Sequence, residues 1–189
     1  EIKMMNLMGY DAMTIGNHEF DFGLDNMARL FRMAKFPVVC SNYEVTGTVL
    51  EGLVKPYIIL KRGHMKIGIF GLSPRLKGLV QAAKCEGVVY KDPIAAAQQM
   101  TDLLREKEGC DVVICLSHLG IRSLEPEDVS DENLIGKIHG IDLILGGHSH
   151  TFMEKPTMYQ DAEGKSVPLL HSGKNGIYVG EVVLTLTNK

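Results

Sequence analysis

Apolar residues along this 189-residue chain come in short runs that stop at glycine or at polar groups. Runs rich in Val and Ile read as strands at 12–15, 37–40, 57–61, 66–70, 112–116, 143–145, 169–171 and 177–186. Lys61, Arg62, Gly63 and His64 read as a hairpin turn, with Gly63 supplying the permissive backbone. Positions 24–34 place Leu24, Met27, Ala28, Leu30, Phe31 and Ala34 on one helical stripe. Asp92 followed by Pro93 is an N-cap and first-turn pair that opens a helix running to about residue 107. A shorter helix is expected over 132–139, stopped by Gly140. Helices alternate with near-continuous apolar strands as far as Leu145, and a hairpin-like β tail follows. The fold class is therefore α/β with a mixed sheet, not an all-parallel one. No repeat, low-complexity tract or Gly/Ser linker interrupts the pattern, so residues 1–189 read as one domain.

Composition excludes some partners without naming an activity. With 45% hydrophobic residues, 23% charged residues and a formal charge of −3, the chain can bury a sizeable core. It carries no basic field of the kind that binds nucleic acid or an anionic membrane surface. No apolar run approaches the roughly 18–20 residues that span a bilayer. Cys40, Cys85, Cys110 and Cys115 show no Cys-x-x-Cys or zinc-finger spacing, and free thiols are expected.

Chemistry gathers where the strands stop. "AMTIGNH" ends in Asn17 and His18, "VVICLSHLG" carries His118, and "IDLILGGHSH" ends in His148 and His150. In α/β sheets, ligands collect outside the carboxyl ends of strands, so three such ends can face one crevice. In an extended segment, the two-residue spacing of His148 and His150 puts both rings on one side, where each can reach a different ion of a metal pair. Bland readings stand beside these. Asp21 can simply cap the helix near Leu24, Gly146 and Gly147 can simply make a tight turn, and His64 and His139 read as surface residues. His171 also ends a strand and is a candidate for contacts just behind the site.

The segments "GNHEFD", "LSHLG" and "GGHSHT" resemble, in that order, the motif set of calcineurin-like metallophosphoesterases and especially their 5′-nucleotidase branch. "SNY" at 41–43 looks like that branch's segment after the next strand, and "IYVGEVVLTL" at 177–186 looks like its closing strand. The resemblance implies a four-layer αββα sandwich of mixed sheets flanked by helices. It also implies hydrolysis of a phosphoester, first of all a nucleoside 5′-phosphate, by a hydroxide bridging two divalent ions. Zn²⁺ or Mn²⁺ are expected, with Mg²⁺, Ca²⁺ and Co²⁺ admitted. Residue by residue, Asn17, His118 and His148 match ligands of one ion, and His150 matches a ligand of the other. His18 matches the catalytic histidine, Asp21 the carboxylate that orients it, and Asn42 a substrate contact. Nucleotide-sugar pyrophosphatase and 2′,3′-cyclic phosphodiesterase are alternatives that would use the same metals. Relatives of this kind imply a periplasmic or cell-envelope location.

The family also uses an Asp-x-His and a Gly-Asp that should precede "GNH". Neither is in this sequence, whose first ten residues read as the tail of an amphipathic helix. The domain is therefore expected to be partial at its N-terminus and to lack a C-terminal nucleotide-specificity domain. Four neutral ligands would leave the charge of two divalent ions largely uncompensated. On that argument the chain taken alone is expected to be inactive, as a fragment or pseudoenzyme. Glu19 is expected to point away from the site.

Overall fold

The computed structural model describes residues 1–123, 125 and 127–185, and it presses two sheets face to face with helices on their outer sides. Helix α1 (Ile2–Met8) stops at Gly9, whose φ of 73° makes a left-handed cap. Strand β1 (Met13–Thr14), a single 3₁₀ turn over Asn17–Phe20 and helix α2 (Gly23–Met33) follow. Next come β2 (Val38–Val39), β3 (Tyr43–Glu44), β4 (Val54–Lys55), β5 (Tyr57–Arg62) and β6 (Met65–Leu72). Strand β7 (Val89–Tyr90) leads to α3 (Pro93–Asp102), continued through a π turn over Leu103–Lys107. The chain then forms β8 (Val112–Ser117), α4 (Asp131–Ile135), β9 (Leu143–Gly146), β10 (Thr157–Gln160) and β11 (Ser166–His171).

Six strands form a mixed sheet in the order β10-β11-β9-β8-β6-β5. Its four inner strands run parallel, so β8, β9 and β11 all deliver their carboxyl ends to one edge. The outer strands β10 and β5 pair antiparallel with their neighbours. A second, parallel sheet holds β1, β2 and β4, and β3 pairs with β7.

Alternation along β6 explains how the layers meet. Phe70 and Leu72 are fully buried against Ala97, Met100 and Leu104 on one side. Gly71 faces the opposite way, where an added Cβ would overlap the carbonyl of Val39 and the hydroxyl of Thr14. A glycine here lets the two sheets approach backbone to backbone. Behind the second sheet, Met27, Ala28 and Phe31 of α2 pack with Ile15, Phe20 and Val38. The order is helix, sheet, sheet, helix, as the family resemblance implies.

Several expectations change. The alternation at 177–186 predicts a closing strand. Residues 177–185 form no strand, and Val179 and Val183 are 89% and 80% exposed. Leu186 lies outside the described residues. Alternation specifies a strand only where it pairs, and among the described residues this segment pairs with neither edge strand of the six-stranded sheet, β10 or β5. The helix expected over 132–139 starts one residue earlier and ends at Ile135, where Gly136 follows. Asp92 caps α3 as expected, its Oδ1 accepting from the Ile94 N–H at 2.9 Å. The four cysteines are free thiols. Among the described residues no helix is long and apolar enough to cross a membrane.

Candidate functional site

The carboxyl ends of β1, β8 and β9 converge at one edge of the sandwich. Asn17 leaves β1 through Gly16 and is 8% exposed. Its Oδ1 lies 3.1 Å from His148 Nδ1, a contact across 131 residues of sequence. The rings of His118 and His148 stand 5.1 Å apart, centroid to centroid. Burial lowers both imidazole pKa values, and the neighbouring histidines lower them further. His118 is held down to about 4. Both rings are therefore neutral near pH 7, the form in which imidazole binds a metal.

Glycines make the floor of this cluster. A Cβ on Gly16 would sit 2.6 Å from His118 Nε2, and one on Gly147 would sit 3.2 Å from its Nδ1. A Cβ on Gly146 would collide with the ring of His171. None of these three glycines has a positive φ, so Gly146 and Gly147 are not the tight turn that their sequence suggests. They clear space for imidazoles.

The turn falls instead on the histidines. His148 has a φ of 73°, and the Ser149 N–H donates to the Gly147 carbonyl at 2.9 Å, closing a one-residue γ-turn around it. His150 has a φ of 54° and is exposed. The expectation of an extended segment with both rings on one side is thus corrected. Left-handed backbone at two non-glycine residues is strain of the kind that collects at functional sites.

His18 and Asp21 form the second part of the edge. His18 Nδ1 is 3.0 Å from Asp21 Oδ2, and the two side chains are 71% and 52% exposed. An exposed pair contributes little to stability, so its effect is to orient the ring. Asp21 is not the cap of α2, whose N-cap is Phe22 with no side-chain bond. Lys84 Nζ donates to the Asp21 carbonyl at 2.6 Å. Glu19 has a structural part in the loop. Its carboxylate folds back to accept the Gly16 N–H at 2.6 Å, bracing the loop that carries Asn17 and His18, and burial raises its pKa. A cavity of about 580 Å³ opens beside His18 and Asp21, walled by Ile2, Met5, Phe22 and Met27.

Asn42 is not at the edge. It is fully buried, its Nδ2 donating to the Ser73 carbonyl at 2.8 Å and its Oδ1 accepting the Ser73 N–H at 2.9 Å. Ser73 Oγ in turn donates to the Ile15 carbonyl at 2.6 Å. Both ends of the Asn42 amide are spent clamping three strand ends together, which corrects its expected role as a substrate contact. His64 sits in the β5–β6 turn and His139 beside Gln98, both away from the cluster. His171 is 1% exposed and bonds Asp131, a residue that nothing in the sequence pattern singled out.

Among the described residues no three His, Cys, Asp or Glu side chains lie close enough together to hold a metal ion. Asn17, His118 and His148 instead bring two imidazoles and one amide oxygen to the edge. Two ligands each about 2.1 Å from a common ion lie roughly 3.0–3.4 Å apart. The 3.1 Å between Asn17 Oδ1 and His148 Nδ1 fits that edge.

A four-layer αββα sandwich whose strand ends bring neutral histidines and an amide to one edge defines a class of metal-dependent hydrolase folds. The chain belongs to the calcineurin-like phosphoesterase family, whose model matches residues 2–152. Metal dependence is general in that family. The trifunctional nucleotide phosphoesterase protein YfkN of Bacillus subtilis is 30% identical over 221 residues, covering 100% of this chain and 14% of the relative. The 5′-nucleotidase of Rattus norvegicus is 29% identical over 202 residues, covering 98% of this chain and 34% of the relative. The crystal structure of a 5′-nucleotidase precursor from Thermus thermophilus superposes with a TM-score of 0.80 at 30% identity. That match covers 91% of this chain and 35% of the other. The chain thus spans roughly a third or less of the length of these relatives.

Proposed function

We propose that this protein is a metal-dependent phosphoester hydrolase acting on nucleoside 5′-phosphates. The observation that carries the reading is the meeting of Asn17, His118 and His148 at the edge that also bears the His18–Asp21 pair. Asn17, His118 and His148 would hold one divalent ion, and His150 would reach a second. Nitrogen and oxygen donors of this kind suit Zn²⁺ or Mn²⁺. A bound ion supplies Lewis-acid activation of water and neutralises phosphoryl charge.

The protein's own groups do the rest. Low pKa values keep His118 and His148 unprotonated at neutral pH, so protons do not compete for their nitrogens. Asp21 holds the His18 Nδ1 proton, which leaves Nε2 free for the substrate. In the imidazolium form Nε2–H can donate to a phosphoryl oxygen or give its proton to the departing alkoxide, leaving neutral imidazole with Nδ1–H still on Asp21, general acid catalysis worth about 10²- to 10⁴-fold. Glu19 and Lys84 hold the turn between Asn17 and Asp21 in shape. The nucleotide substrate class is supported by the names of the relatives, which include a nucleotide phosphoesterase and 5′-nucleotidases. The Thermus thermophilus protein is described as a precursor, which supports a periplasmic or cell-envelope setting.

The test pairs two variants, each made in the intact enzyme that also carries the Asp-x-His and Gly-Asp. His18→Ala should keep its metal and lose about 10²- to 10⁴-fold in kcat. His148→Ala should lose both metal and turnover. Normal metal content in His148→Ala, by elemental analysis beside steady-state rates, would refute the assignment.

A further inference from the structure

We propose that Asp131, His171 and Ser117 form a buried positioning unit that sets the two strand ends carrying His118 and His148. The proposal rests on the reading of those two histidines as metal ligands. Asp131 is 0% exposed, His171 1% and Ser117 3%, so the three lie wholly inside the protein, behind the edge.

The bonds run to the ligand-bearing end of β8, and packing carries the contact to that of β9. The Asp131 carboxylate accepts from the Ser117 hydroxyl through one oxygen, and His171 Nε2 lies 2.8 Å from the other. Ser117 Oγ also accepts the Leu119 N–H at 3.2 Å, so one hydroxyl brackets His118 from both sides in sequence. The Asp131 N–H donates to the Gly120 carbonyl at 2.8 Å. Gly120 in turn lies against His148, its Cβ position only 3.4 Å from His148 Cδ2. On the other arm, His171 sits in register with Gly146, and its ring fills the space over that glycine. Two residues later the chain makes the strained turn at His148. One carboxylate therefore ties the exit of β8 to the exit of β11, with the β9 exit held between them.

Packing does not account for this trio. Leu134 and Ile135 of α4 and Val167 and Leu169 of β11 belong to the apolar core, and apolar side chains at 131 and 171 would extend that core equally well. Burying a carboxylate is costly unless it is fully bonded. Among the described residues, His171 Nδ1 is also buried without a hydrogen-bond partner. Helix capping does not account for Asp131 either, because Ser130 already caps α4 by accepting the Asn133 N–H. What the trio supplies is fixed geometry at two strand ends.

The experiment titrates Zn²⁺ alone into the protein by calorimetry and follows the imidazole NMR signals of the metal-free form. Ser117→Ala and Asp131→Asn should shift the ring signals of His118 and His148 and weaken Zn²⁺ binding about 10- to 100-fold, as for other partners that orient ligands. Backbone amide signals of α2 should stay in place. His171→Gln keeps a donor toward Asp131 and should retain most of the affinity, whereas His171→Leu should lose it. Unchanged ring signals and affinity in folded Ser117→Ala and Asp131→Asn, with only a lower Tm, would overturn the proposal. Ser117→Ala decides the matter alone if Asp131→Asn does not fold. His148→Ala is the control. If it binds Zn²⁺ normally, the ligand reading fails on its own, and the ring signals still judge the positioning unit.

Discussion

His148 holds a φ of 73° and His150 a φ of 54°, conformations that cost a non-glycine residue on the order of 1–2 kcal/mol. Relieving that strain should separate stability from function. His148→Gly is expected to leave the metal-free protein about 1 kcal/mol more stable in urea unfolding while abolishing metal binding. His118 gives a second prediction. Its pKa is depressed to about 4, against about 6.5 for an unfolded imidazole. Above about pH 6.5 both states are neutral, and the residue adds no pH dependence. Below it the unfolded chain takes the proton first, so this contribution to stability declines as pH falls toward 4 and then levels off. An NMR titration should place the His118 midpoint near 4, and a midpoint near 6.5 would contradict its burial. At this scale the imidazoles and Asn17 were legible in sequence as polar groups ending strands. The floor of Gly16 and Gly147 was not, because a glycine beside a histidine reads as a turn until the ring is seen lying on it. Asp131 was equally silent, since a lone acid before an apolar run looks like a helix start.

Among the elements, the strands that deliver the site were legible because each is a β-branched run stopped by a polar group. Strands β3, β4 and β7 are two residues long, too short to show a period of two, and β10 is mostly exposed and polar. The tail at 177–185 shows the converse failure, a good strand pattern that pairs with no strand among the described residues. Strand β6 carries the sharpest elemental prediction. Gly71→Ala should force the two sheets apart at Val39 and destabilise the protein by about 1–3 kcal/mol or more. Gly136→Ala is its contrast, at a helical φ of −67° with nothing within 4 Å of the added methyl. It should be neutral or stabilising by up to about 1 kcal/mol. Thermal unfolding of the two variants side by side checks both.

For the whole molecule, the sandwich joins two sheets whose cores are separate, one around α2 and one around α3 and α4. Asn17 and His18 come from the first sheet, and His118, His148 and His150 from the second. A metal held by Asn17 with His118 and His148 would therefore bridge the two layers. Bound ions should stabilise the fold accordingly, by about 2.7 kcal/mol when free metal is 100-fold above its Kd. The measurement that bears most directly on the account is phosphate release from a nucleoside 5′-monophosphate by the native protein, before chelation, after it and after Mn²⁺ or Zn²⁺ is restored. The account predicts hydrolysis that disappears with the metal and returns with it. With residues 1–189 alone expected to be inactive, hydrolysis indifferent to chelation, or none from metal-replete protein that also carries the Asp-x-His and Gly-Asp, would contradict it.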